Sequence, residues 1–171
     1  MELLIPGLVL VALMVYASTR LKKATARALE AEDVETDEFS ITKPAGFINV
    51  VSPDDGLLFR AYTKEFADDA PNFPKAEATV TVRDNTDVST VLSELQQAGG
   101  VVSAKADSES AGSPYIVRID RDADGSKIRR SVKLSQSGGR VFSLIFDSPA
   151  SCDEDFVVAR REMNETFQVK H

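Results

Sequence analysis

The chain has 171 residues, which leaves room for one domain of ordinary size and an additional anchoring segment. Its formal net charge of -7 argues against a nucleic-acid partner, because binding to phosphates depends on lysine and arginine side chains. A single cysteine, Cys152, excludes an intrachain disulfide and any zinc site built from several cysteines.

The N-terminal residues carry the pattern of a membrane anchor. From Leu3 to Ala17 the sequence has no charged side chain, and basic residues begin at Arg20. A run of this length, extended by two polar residues, can span a bilayer while the basic side chains reach the lipid headgroups. We therefore predict a transmembrane helix over residues 1–19, in contact with membrane lipid through residues 3–19.

Three alternatives to a spanning helix each have a specific weakness. A cleaved signal peptide would fit "VYA" before Ser18, but the segment has Glu2 in place of a basic n-region. A helix lying flat on the membrane needs a polar face, which this stretch lacks. A buried core helix does not account for the basic flank or for the absence of a following turn. The residues favour the spanning helix.

Basic residues follow the predicted span, namely Arg20, Lys22, Lys23 and Arg27. Because positive residues are retained on the cytoplasmic side, we predict a single-pass protein of the cell membrane with its C-terminal domain in the cytoplasm. Helix-forming residues followed by acidic ones predict a stalk over residues 20–37, which leaves residues 38–171 as a soluble domain.

After Phe39, apolar and polar side chains alternate over short segments separated by turn signals. In "EATVTVR", Ala78, Val80 and Val82 lie on one face of a predicted strand. The stretch "PNFPK" contains two prolines, so a loop is predicted there. This pattern indicates an antiparallel sheet.

A helix is predicted in "DNTDVSTVLSELQQAGG", where four apolar residues from Val88 to Leu95 share one face and Thr86 or Asp87 can cap the N-terminus. Three strands follow, "PYIVRID", "KIRRSVKLS" and "RVFSLIFD", joined as two hairpins. The last is apolar on both faces apart from Ser143, which indicates a central strand. The predicted fold class is α+β: an N-terminal transmembrane helix followed by an antiparallel β-sheet domain with packed helices.

The chain closes with a predicted helix from about Cys152 to Phe167, in which Ser151 and Glu154 have the spacing of a capping box. Residues 138–169, "GGRVFSLIFDSPASCDEDFVVARREMNETFQV", resemble the final strand, acidic-capped helix and aromatic finish of the PsbP/Mog1-like family of α/β/α sandwiches. Family members are mostly accessory, binding or assembly proteins, so the resemblance implies that fold and a role of that kind. The chain shows no thylakoid transit peptide, so a photosystem role is not expected.

The stretch "RIDRDADGSKI" raises the question of a calcium site. Asp120, Asp122, Asp124 and Gly125 match the beginning of the loop D-x-[DN]-x-[DN]-G, whose alternate carboxylates converge on a cation. Position twelve is Ser131, where such a loop needs a glutamate. A hairpin turn explains the same residues, because Asp and Gly supply the turn dihedrals. Weak calcium binding is an alternative to a simple turn, and no other cofactor is expected.

The strand "KIRRSVK" carries the basic patch of the domain. Lys127, Arg129 and Lys133 are predicted to lie on its polar face. That face is either solvated or a contact surface for anionic lipid or an acidic partner.

No catalytic motif is present: the sequence lacks G-x-S-x-G, G-x-x-x-x-G-K-[ST], H-E-x-x-H and G-x-G-x-x-G. Acidic residues directly after Cys152 oppose a reactive thiolate. We therefore expect no enzymatic activity. One functional hypothesis is a single-pass accessory or scaffold protein that holds a binding domain near the inner face of the membrane, with a membrane-protein partner. The other is an externally displayed domain that binds calcium weakly at Asp120–Gly125.

Overall fold

The computed structural model describes residues 13–20, 26–50, 56–105, 115–123 and 125–170, of which residues 13–20 and 26–28 are helical. The helices of the described domain are α1 (Val88–Gln97) and α2 (Val157–Thr166), and a 3-10 turn, Asp153–Phe156, directly precedes α2. The strands are β1 (Glu32–Glu35), β2 (Phe39–Lys43), β3 (Phe47–Asn49), β4 (Leu57–Thr63), β5 (Phe66–Ala67), β6 (Ala70–Pro74), β7 (Glu77–Asp84), β8 (Val101–Lys105), β9 (Tyr115–Ala123), β10 (Ser126–Ser137), β11 (Arg140–Pro149) and β12 (Gln168–Val169).

Within the described residues, seven strands form an antiparallel sheet in the order β3-β4-β7-β11-β10-β9-β8. The predicted meander of β9, β10 and β11 is confirmed, and its register places Ser131 opposite both Arg118 and Phe146. β11 lies at the centre of this sheet, as expected for a strand that is apolar on both faces. β8 adds an edge strand that sequence patterns did not indicate.

One face of the large sheet is covered by α2 and by a small sheet of order β1-β2-β12. The buried core between these layers is rich in aromatic residues: the rings of Phe39 and Phe167 lie 6.0 Å apart between centroids. Ala78 and Phe146 of the large sheet face the same core. α2 contributes Ala159 and Met163 to this core, together with Phe156 directly before it and Phe167 directly after it.

The opposite face of the large sheet is covered at one end by α1. Val91 is buried against β10 and β11, with Val88, Leu92 and Leu95 packed around it. The predicted cap is confirmed, since Asp87 Oδ1 accepts a 2.7 Å hydrogen bond from the Thr90 N–H. The sheet is therefore covered by helices on both faces, as in an α/β/α sandwich.

Two segments differ from the prediction. Glu32–Glu35 were assigned to an acidic stalk but form β1, whose register with β2 runs from Glu32 opposite Lys43 to Glu35 opposite Ser40. The folded domain therefore begins before residue 38. The proline-containing stretch assigned to a loop forms most of β6, which pairs with β5 in a separate hairpin. Proline is tolerated there because both strands of the hairpin are edge strands.

The predicted transmembrane helix, residues 1–19, falls largely outside the described residues. Its described part is helical, and the side chains of Leu13, Met14, Val15 and Tyr16 are exposed. In the described part of the chain, no helix has the length and apolar character needed to cross a membrane. The spanning helix stays a prediction.

Candidate functional site

The ammonium group of Lys43 attaches the N-terminal segment to the domain. Lys43 ends β2 and is fully buried, with 0% of its surface exposed. Its Nζ donates hydrogen bonds to the carbonyl oxygens of Ala28 at 3.2 Å, Phe47 at 3.0 Å and Glu30. A single side chain thus bridges residues 28–30 and the turn between β2 and β3.

A backbone contact reinforces this attachment. The Gly46 N–H donates a 2.8 Å hydrogen bond to the carbonyl oxygen of Leu29. The last carbonyl groups of a helix have no hydrogen-bond partner within it. The Lys43 ammonium group and the Gly46 N–H donate hydrogen bonds to the carbonyl oxygens at the end of helical residues 26–28. Burial lowers the pKa of Lys43, and the nearby carboxylates of Glu32 and Glu30 oppose that change. We call the contacts of Lys43 and Gly46 with residues 28–30 the joint.

A groove of about 350 Å³ lies beside the joint, between the β2–β3 turn and the start of α2. Two of its residues, Phe47 and Phe156, meet edge to face with ring centroids 6.1 Å apart. We call this space the groove; it is lined by Pro44, Ala45, Gly46, Phe47, Thr63, Asp155, Phe156, Val158, Ala159 and Glu162.

The groove combines apolar walls with two carboxylates. Val158 is 65% exposed, although it is a large apolar residue. The carboxylates of Asp155 and Glu162 form no hydrogen bond or ion pair with any residue that the structure describes. A surface of this kind suits a segment that carries apolar and basic side chains together.

A buried aspartate holds the start of α2 against the sheet and so positions one wall of the groove. Asp153 is 3% exposed and accepts 2.9 Å hydrogen bonds from Ser148 Oγ and Arg129 Nη1. It also forms an ion pair with Arg160, in the first turn of α2. Burial alone would raise the pKa of Asp153, but the hydrogen bonds from these three side chains hold it below its ordinary value.

The polar face predicted for β10 is partly covered by α2, which corrects the expectation of a solvent-facing or partner-facing surface. Lys133 is 8% exposed, and its Nζ donates to the carbonyl oxygens of Asn164 and of Phe167, the latter at 2.9 Å. Burial lowers the pKa of Lys133. Because α2 covers this side chain, Lys133 is not available for the predicted contact with lipid or a partner.

The other two residues of the basic patch remain accessible. Arg129 is partly exposed and bridges Asp120 and Asp153 through its guanidinium group. Lys127 is exposed. Contact of Arg129 and Lys127 with lipid or an acidic partner stays a prediction.

The aspartate stretch forms the hairpin between β9 and β10. Gly125 has a φ of +80°, and its N–H donates a 3.1 Å hydrogen bond to Asp122 Oδ1. Asp120 forms an ion pair of 3.3 Å with Arg129, its neighbour across the hairpin. Asp124 lies outside the described residues, and those that are described contain no group of three or more His, Cys, Asp or Glu side chains placed to hold a metal ion. The contacts are those of a turn, and weak calcium binding stays a prediction that they do not favour.

Sequence patterns indicated neither the joint nor the groove. The signal for the joint was present in the alternation of β2, where Phe39, Ile41 and Lys43 occupy the same, buried face. A lysine on the buried face of a strand can itself be buried only if nearby carbonyl oxygens accept hydrogen bonds from its ammonium group. Here those oxygens come from residues 28–30 and Phe47, which no local pattern placed there.

No protein family and no curated protein matches the chain by sequence. The structure is nevertheless similar to solved structures. The Ran-binding protein Mog1p of Saccharomyces cerevisiae is 13% identical with a TM-score of 0.53, over 82% of this chain and 96% of that chain. LpqN of Mycobacterium tuberculosis, involved in cell envelope biogenesis, is 13% identical with a TM-score of 0.56, over 83% and 91% of the two chains.

Cyanobacterial PsbP (CyanoP) from Synechocystis is 10% identical with a TM-score of 0.54, over 83% of this chain and 94% of that chain. The chain spans less than half, 45%, of a structure from Bacteroides thetaiotaomicron that matches 78% of it at 13% identity and a TM-score of 0.50. These similarities show a PsbP/Mog1-like fold, which confirms the fold implied by residues 138–169.

Proposed function

We propose that this protein is a single-pass, membrane-anchored accessory protein that holds a binding domain at the inner face of the cell membrane. The joint carries the proposal. Lys43 and Gly46 bind the carbonyl oxygens of residues 28–30, so the end of the N-terminal helical segment has a fixed place on the domain. The joint thus fixes residues 28–30 beside the groove.

Two further observations support anchoring. The apolar side chains of residues 13–16 are exposed on a helix, where an aqueous environment would be unfavourable and a lipid environment favourable. Basic residues follow them, beginning with Arg20. The binding role is supported by the groove, where Val158 is exposed and the two carboxylates have no partner among the residues that the structure describes.

The lone cysteine allows a direct test in cells that produce the full chain. Alkaline carbonate washing should leave the protein in the membrane fraction. A membrane-impermeant maleimide should label Cys152, which is partly exposed, only after permeabilisation. Detergent-denatured protein shows that the thiol can react, and Cys152→Ser gives the background. Release by carbonate would overturn the anchoring, and labelling of intact cells would reverse the orientation.

A further inference from the structure

The groove and the basic residues after the predicted anchor have complementary charge. We propose that the groove binds residues 20–27 of a second copy of this chain in the same membrane. The inference rests on the membrane anchoring proposed above and adds self-association through a defined surface.

Charge complementarity is the first argument. Asp155 and Glu162 line the groove and have no partner among the described residues, while Arg20 and Arg27 are exposed. Asp155 and Glu162 are seven residues apart in the sequence, as are Arg20 and Arg27. Two cations can therefore face two carboxylates when the segment lies along the start of α2.

The apolar content of the two surfaces also matches. The groove presents Phe47, Phe156 and the exposed Val158. The segment "RLKKATAR", residues 20–27, contributes Leu21 and two alanines between its basic residues. Small side chains allow close approach of the backbone, and burial of Val158 removes an exposed apolar surface from water.

The position of the groove favours contact within one membrane. Gly46 lines the groove and binds Leu29, two residues after the end of the basic segment. Copies anchored side by side in the same orientation therefore hold their grooves and their basic segments at similar distances from the bilayer. Such an arrangement raises the effective concentration of the basic segments around the grooves of neighbouring copies.

The bound segment belongs to a second copy, because the end of the segment lies outside the groove of its own copy. Residues 26–28 are exposed and are not among the residues that line the groove. The joint fixes residues 28–30 in that place. The joint therefore holds the end of this segment outside the groove of its own copy. It does not restrict binding of the segment to the groove of a neighbouring copy.

The test measures association of the full chain in phosphatidylcholine vesicles, by energy transfer between copies with donor and acceptor fluorescent proteins at their C-termini. Asp155→Lys with Glu162→Lys should weaken association at least about tenfold, as should Arg20→Glu with Arg27→Glu. A mixture of the two double variants should regain most of the wild-type association, because opposite charges then face each other again.

A matched control separates groove electrostatics from net charge. Glu94→Lys with Glu165→Lys makes the same change in charge at exposed positions outside the groove, and should leave association within about twofold of wild type. Circular dichroism of each variant confirms that the domain is folded.

The outcomes distinguish the two proposals. Association that falls with the groove variants and returns in the mixture supports the inference. A chain that resists carbonate extraction but stays monomeric, or associates equally well with the groove charges reversed, overturns the inference and leaves the anchoring intact. Equal weakening by the control variant also overturns it. Loss of the chain from the vesicles on carbonate washing overturns both.

Discussion

Lys133 and Phe167 are linked twice at the C-terminal end of α2. The Nζ of Lys133 donates a 2.9 Å hydrogen bond to the carbonyl oxygen of Phe167 and lies 5.6 Å from the centroid of its ring. One lysine on β10 thus completes the hydrogen bonding of a helix end and contacts a core aromatic residue. The link ties the last helix to the large sheet.

We expect Lys133→Met to lower the free energy of unfolding by about 1–3 kcal/mol. The carbonyl oxygens of Asn164 and Phe167 lose a charged donor, while methionine retains much of the side-chain volume. Urea unfolding measures the change. Lys127→Met, on the same strand but exposed, is the control and should shift the free energy by less than about 0.5 kcal/mol. Equal effects would contradict the structural role of Lys133.

Asp153→Asn should lower the free energy of unfolding by about 3–5 kcal/mol at neutral pH, because it leaves buried Arg160 without its carboxylate partner. The variant is compared with wild type by urea unfolding. Asp120→Asn removes an exposed ion pair with Arg129, so it should cost less than about 1 kcal/mol.

The Asp153 effect should depend on pH in a defined direction. Its pKa in the folded protein is below the ordinary value of 3.8, so the ionised carboxylate stabilises the fold above that pH. The stabilisation is lost as the pH falls through the folded pKa. The difference between wild type and Asp153→Asn should therefore shrink below about pH 4. A difference that does not change with pH would show that ionisation of Asp153 is not responsible.

Lys43→Met should loosen the joint. We expect faster amide hydrogen exchange at Gly46, because the Leu29 carbonyl is no longer held in place, and a loss of about 1–3 kcal/mol in stability. Exchange followed by mass spectrometry tests this. Lys75→Met removes an exposed lysine paired with Glu65 and should leave exchange at residues 26–50 unchanged. Unchanged protection of Gly46 in Lys43→Met would refute the joint.

Calcium at about 10 mM should leave the Tm unchanged, since Asp120 and Asp122 already interact with Arg129 and the Gly125 N–H. A site with a Kd of about 1 mM would instead add about 1.4 kcal/mol of stability at that concentration. Magnesium at the same concentration controls for ionic strength. A rise in Tm specific to calcium would favour the externally displayed, calcium-binding alternative.

Local patterns predicted the C-terminal half of the large sheet because its strands are joined by short hairpins. The register of β11 with β10 depends on residues that are close in sequence, such as Ser137 and Arg140. The small sheet was not predictable in this way. Its β12 pairs Gln168 with Ser40, and no local signal connects residues so far apart.

Side-chain roles were less predictable than strands, because distant groups decide them. The spacing of Ser151 and Glu154 predicted a capping box, but Ser151 Oγ donates a 2.8 Å hydrogen bond to Asp69 Oδ1 instead. Lys133 looked solvent-facing because lysine usually is, yet carbonyl oxygens at the end of α2 stabilise its buried ammonium group. At the joint, carbonyl oxygens of residues 28–30 likewise stabilise the buried ammonium group of Lys43.

The central position of β11 also has a consequence for synthesis on the ribosome. β7 acquires β11 as its second neighbour only after residues 140–149 have been made, and β2 meets β12 only after residues 168–169 have been made. Core residues Met163 and Phe167 appear equally late. The nascent chain thus cannot complete this core until residues 163–169 have been made. Under the proposed anchoring, the N-terminal segment would reach the membrane while the domain behind it is still unfolded.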